Sequence, residues 1–150
     1  MNAPIPAHAT LSWRQLGPGD LEAMQTLHLL SVQGQGADVV KPETRDFLAS
    51  LLAGRGQVVA AFDGPRLIAY GVLQHDLLAE DGLPAALAPP AGTPLLKLAG
   101  AAVAPPWRGL GLQRRLITER LALAPATAWL FSTAAPANVP SWNNLLAQGF

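Results

Sequence analysis

The sequence predicts one α/β domain with strands and helices in mixed order, and three observations carry that expectation. Two strand-length runs, residues 57–62 and 67–74, flank Asp63-Gly64, a strong hairpin signal. Segments with apolar residues at helical spacing are interleaved with the strands. Finally, an almost uncharged strand-length run, residues 95–103, passes through a turn punctuated by Gly109 and Gly111 into an amphipathic pattern.

The elements follow in chain order. Residues 1–10 contain two prolines and no basic cluster ahead of an apolar core, so they read as a flexible tail and not a signal peptide. The domain is expected over 11–150, beginning with a short strand at 11–16. Gly17-Pro18-Gly19-Asp20 opens a helix, with proline at its first position and an acid in its first turn. Leu21, Met24, Leu27 and Leu30 carry that helix to about Val32, and His28 beside them is assigned to packing. A second helix follows Pro42, with Phe47, Leu48, Leu51 and Leu52 facing the core and Gly54 ending it. After the hairpin, residues 82–94 form a connection rich in alanine, proline and glycine, open to use as a lid or a stiff link. Pro105 and Pro106 stop the strand at 95–103, and Leu112, Leu116, Ile117 and Leu121 mark one face of a helix. A last strand is expected at 127–133, then a short helix with Asn138 as N-cap and Gly149 as C-cap glycine.

The turn at Gly109 and Gly111 is the most informative feature. The first amides of a helix lack intrahelical partners and point outward together, and the helix dipole adds positive potential there. Without side chains at the two glycines an anion can reach the backbone. A diphosphate cradle is therefore expected, though a glycine turn before any helix has the same local pattern. It lacks the three glycines of the dinucleotide fingerprint and the Gly-Lys-Ser/Thr of a Walker loop.

Arg108-Gly109-Leu110-Gly111-Leu112-Gln113 resembles the acetyl-coenzyme A loop of the GNAT acyltransferases, Arg/Gln-x-x-Gly-x-Gly/Ala, with Gln113 departing at the last position. Residues 138–150 are similar to the second coenzyme A element of that family, in which Asn-x-x-Ala/Ser opens a helix that closes with Gly-Phe. The resemblance implies a central, mostly antiparallel twisted sheet flanked by helices. In it, the strands at 95–103 and 127–133 run parallel and splay apart to admit pantetheine. It places acetyl-coenzyme A, with no metal, on Val103, Arg108, Gly109, Leu110, Gly111, Leu112, Gln113, Arg114, Asn138 and Ser141. Arg115 is a further phosphate candidate, and Trp107 and Trp142 flank the two elements. Family members continue past Gly-Phe with two more strands, absent here. The sheet is thus expected to be incomplete, with an apolar edge at 127–133 covered by missing chain or by a homodimer partner.

Composition narrows the function classes. Half of the 150 residues are hydrophobic, enough for one real core. Ten basic residues balance ten acidic ones, so the electrostatic footprint of a nucleic-acid binder is missing. The chain has no cysteine, which excludes disulfides, thiolate metal sites and a cysteine nucleophile. Prolines and amide side chains interrupt the uncharged C-terminal stretch, so no membrane span is expected, and a cytoplasmic location is the default.

The resemblance implies direct acetyl transfer to an amine of a small molecule or peptide. An ammonium of pKa ~10.4 needs a base before it can attack, whereas a thiol of pKa ~8.5 leaves with little help. His75 is the candidate base, with Asp76, Glu80 and Asp81 close in sequence. The family's tyrosine acid falls on Leu145, which donates nothing; Tyr70 lies in the hairpin, and Ser141 is the remaining candidate acid. Lys97 is expected at an edge or mouth of the site. Two alternatives stay open: a coenzyme A-binding regulatory or scaffold domain without turnover, and a generic phosphate- or nucleotide-binding domain.

Overall fold

The computed structural model describes residues 10–33, 35, 36, 42–75, 77, 88–133 and 138–150. Strand β1 (Ser12–Gln15) leads through a 3-10 turn (Pro18–Asp20) into α1 (Leu21–Val32). Asp20 accepts the Gly17 N–H at 2.8 Å and pairs with Arg14, so the acid expected at this helix start also ties the start to β1. Helix α2 (Arg45–Ser50) begins on Thr44, whose hydroxyl accepts the Phe47 N–H at 3.1 Å. One wide turn (Leu51–Arg55) ends it, which Gly54 permits with φ of 125°.

Strands β2 (Gly56–Asp63) and β3 (Arg66–Gln74) form the expected hairpin, with Gly64 in the left-handed region at φ 58°. Strand β4 (Leu95–Val103), α3 (Leu112–Leu123), β5 (Trp129–Ser132) and α4 (Val139–Ala147) follow. The five strands lie in the order β1-β2-β3-β4-β5, antiparallel except for the parallel pair β4 and β5. Helices α1 and α3 both pack on β3 and β4, and β3 is buried from Leu67 to Gln74, so both faces of the sheet are covered. Strand β5 forms a sheet edge, as expected, and Trp129 on it is 47% exposed.

Two irregularities shape the site. Gly71 pairs with Ala101 but Leu73 pairs with Leu98, so Ala99 and Gly100 together face the single residue Val72. This is a bulge in the middle of β4. Further, β4 and β5 pair only from Leu95 and Trp129 to Leu98 and Ser132, after which β4 continues alone to Val103. The tail at 1–9 and the acids Asp76, Glu80 and Asp81 lie outside the described residues.

Candidate functional site

The parting of β4 and β5 opens a cleft of about 1260 Å³ that runs from the start of α3 past the bulge to the α1–α2 side. The Ser132 hydroxyl donates to Leu98 O at 2.8 Å and closes the last rung before the strands separate. Past it, Gly100 is exposed in mid-strand, and a Cβ built there would meet nothing within 4 Å. The backbone of β4 is therefore bare to the cleft at its bulge.

The turn into α3 is built by chain chemistry that the sequence shows. Pro105 and Pro106 have no N–H to offer a ladder, and a 3-10 turn (Pro105–Trp107) begins there, its Trp107 N–H donating to Ala104 O at 2.8 Å. Gly109 and Gly111 follow with φ of 78° and 82°, values that disfavour side chains. Among the described residues, no amide from Gly109 to Arg114 finds an acceptor; the next, Arg115 N–H, donates to Gly111 O at 3.1 Å. Six consecutive donors are thus left at the positive end of a helix of 12 residues.

Of the residues expected to hold the cofactor, Val103, Arg108, Gly109, Gly111, Leu112, Gln113, Arg114, Asn138 and Ser141 all line the cleft. Leu110 does not; its side chain is exposed at the tip of the turn. Arg108 has a second use, donating from Nη2 to Ser31 O at 3.0 Å in the last turn of α1, where a cation meets carbonyls with no helical partner. Arg114 donates to Asn144 Oδ1 at 3.0 Å and so joins α3 to α4. Asn138 occupies the N-cap position of α4, but its side chain makes no capping bond and lines the cleft instead. Arg115 is not at the cleft, because Glu119 and the ring of Trp13 hold its guanidinium. Trp107 is buried in the cleft wall; the expectation for the Trp142 side chain lies outside the described part.

The acid–base expectations fare differently. His75 is exposed just past β3 and does not line the cleft. Its neighbour Gln74 is fully buried and does, because successive residues of an extended chain face opposite ways. Tyr70 is buried and does not line the cleft, and burial pushes its hydroxyl above the usual tyrosine range, making it a weaker acid. Leu145 lines the cleft where the resemblance implies a tyrosine, and Lys97 on β4 lines it too, half-buried.

Two groups that matter were not singled out from the sequence. Glu43 is the sole carboxylate among the described lining residues. Its backbone N–H donates to His28 Nε2 at 2.8 Å, so the packing histidine of α1 anchors it. Burial lowers the His28 pKa, with the Glu43 charge opposing, and keeps the ring in its accepting form. The other is Arg120, 3% exposed on the core face of α3. It donates from Nε to Leu116 O at 3.1 Å, and from Nη1 to Val72 O at 3.1 Å and Ala99 O at 3.3 Å. Burial brings its pKa down to about 10, which still leaves it charged at neutral pH. With Lys97, Arg108 and Arg114 it gives the cleft a positive balance.

No protein-family model matches the chain, and no curated protein does. Solved structures do. The chain is similar to an aminoglycoside acetyltransferase from an uncultured soil metagenomic sample, in complex with sisomicin, at TM-score 0.66 and 15% identity over 95% of this chain and 89% of that one. It is similar to an aminoglycoside N-acetyltransferase in complex with coenzyme A, at TM-score 0.63 and 21% identity over 99% and 91%. The ribosomal-protein-alanine N-acetyltransferase of Brucella melitensis biovar Abortus 2308 gives TM-score 0.62 and 18% identity over 93% and 89%. Sheet order, parallel strand pair and helix placement together give this chain the GNAT acetyltransferase fold.

Proposed function

We propose that the chain is an acetyl-coenzyme A-dependent N-acetyltransferase acting on an amine of a small molecule or peptide. The observation that carries this reading is the run of partnerless amides from Gly109 to Arg114 opening on the cleft between β4 and β5. A diphosphate accepts from such donors, and Arg114 adds positive charge beside them. Val103 and the bared β4 backbone face the path a pantetheine arm takes toward the bulge, where peptide groups bond its amides. Coenzyme A supplies the thioester.

The chain's own residues do the rest. Glu43 gives the α1–α2 wall a negative charge that draws a protonated amine into the cleft, opposite the cationic phosphate end. Once the amine has lost its proton to water or a base, its nitrogen attacks the thioester carbon. The carbon–sulfur bond then breaks with the bonding pair leaving on sulfur, and the nitrogen gives up its second proton to water or a base, leaving a neutral amide. With Leu145 in place of a donor, the cleft offers the sulfur no proton from that position, and Ser141 is the hydroxyl that α4 contributes to the lining.

The test is thiol release from acetyl-coenzyme A in the presence of a panel of primary amines, with acetylated product identified by mass. Amine-dependent release supports the reading. Saturable coenzyme A binding without release from any amine indicates a binding domain instead.

A further inference from the structure

An arginine without a carboxylate is an uncommon thing to bury. Removing a guanidinium from water costs several kcal/mol unless charge or hydrogen bonds offset it. Arg120 is 3% exposed, and its Nε and Nη1 reach only the neutral carbonyls of Leu116, Val72 and Ala99. Among the described residues Nη2 has no acceptor, and no acid accompanies the side chain. The fold makes room for it at a cost in side chains elsewhere. A Cβ on Gly71 would stand 2.9 Å from Arg120 Nε, so β3 carries a glycine where the guanidinium lies.

Its position is specific. Leu98 is the last residue of β4 paired with β5, and Ala99, whose carbonyl Arg120 holds, is the first beyond. The guanidinium therefore bridges the β3–β4 bulge one residue past the last rung between β4 and β5, lining the cleft, eight residues or about 12 Å along α3 from Leu112. The other charged lining groups are Lys97 on β4, Arg108 and Arg114 at the turn, and Glu43 on the far wall. Of these five, Arg120 alone is buried.

We propose that Arg120 is the cation that stabilises the thiolate released when the carbon–sulfur bond breaks, taking the place of a proton donor in the cleft. This rests on the coenzyme A reading above. The sulfur departs with its electron pair, the attacking amine's proton goes to water or a base, and Arg120 keeps its own proton throughout. A group that favours the thiolate during transfer also favours it in the product complex, so the effect is visible without turnover.

The chain has no cysteine, so coenzyme A contributes the only thiol in the sample, and its ionisation can be followed by ultraviolet absorbance. In the complex with wild-type protein the thiol is expected to ionise about one pH unit or more below its free value of ~8.5. Arg120→Lys retains part of that shift; Arg120→Gln and Arg120→Met abolish it while still binding coenzyme A. A purely structural arginine gives the opposite pattern, lower melting temperatures in the variants with no change in thiol ionisation, and that overturns the proposal. An unshifted thiol in the wild-type complex overturns it as well. Failure of the wild-type protein to bind coenzyme A at all removes the coenzyme reading and this proposal together.

Discussion

Gly71 on β3 and Arg120 on α3 are built for each other: a side chain at Gly71 would begin 2.9 Å from Arg120 Nε and 3.1 Å from Cζ. Three hydrogen bonds hold the guanidinium, so it has little freedom to retreat. Gly71→Ala is expected to destabilise the domain by about 1–3 kcal/mol, the usual range for overpacking. In an Arg120→Ala background the added cost of Gly71→Ala should largely vanish, because the Cδ, Nε and Cζ atoms that the new Cβ would meet are gone. Chemical denaturation of the two single variants and the double variant measures the coupling.

Gly111 adopts φ of 82° immediately before α3. A Cβ at this conformation costs about 1–2 kcal/mol, and the backbone can escape only by turning the amides away from the cleft. Gly111→Ala is therefore expected to weaken coenzyme A binding about tenfold, equivalent to roughly 1.4 kcal/mol. Calorimetry with coenzyme A checks this, and unchanged affinity would detach the turn from the phosphates.

Glu43 is exposed at the cleft wall, so its attraction for a cation is screened by salt. Glu43→Gln is expected to raise KM for a cationic amine a few-fold at low ionic strength, with the difference shrinking as salt is added. Affinity for acetyl-coenzyme A should not change. Steady-state kinetics at two salt concentrations separates this from a loss of folding.

His28 links α1 to Glu43 only while its Nε2 is unprotonated. Burial holds its pKa below the ordinary value of 6.5 in the fold, so the unfolded chain takes up a proton first as pH falls. The stability this residue supports is complete above about pH 6.5 and declines as pH drops through the lowered folded value. Asp20 and Glu22 do not titrate in that window, because hydrogen bonds from Arg14 and Arg45 hold both below their ordinary range. Melting curves from pH 7.5 to 5.5 (both about) should thus fall in wild type and flatten in His28→Gln, whose amide accepts without titrating.

The fold was written locally and could be read locally. The strand at 95–103 ends where prolines forbid a ladder, the hairpin turns on Gly64 and Pro65 just after Asp63, and α3 shows Leu112, Leu116 and Ile117 on one face. The turn before α3 was readable for the same reason, since Gly109 and Gly111 set their own conformation. Arg120 was not, because its burial depends on space left by Gly71 some fifty residues earlier in the chain. A cation four residues after Leu116, on the apolar stripe, was the available signal. Glu43 sits before α2 without any periodic pattern, and its meaning comes from His28 across the helix pair. His75 is exposed and outside the described cleft lining, because at the end of β3 the phase of the strand turns Gln74 toward the cleft instead.

The central claim is that the amides from Gly109 to Arg114 receive the diphosphate of an acyl carrier. Thermal unfolding of the intact chain with acetyl-coenzyme A, NAD and ATP tests it most directly. A ligand at 100 times its dissociation constant adds about 2.7 kcal/mol, so acetyl-coenzyme A should raise the melting temperature in a saturable way while NAD and ATP leave it in place. An equal rise with NAD or ATP, or none with acetyl-coenzyme A, would contradict the account.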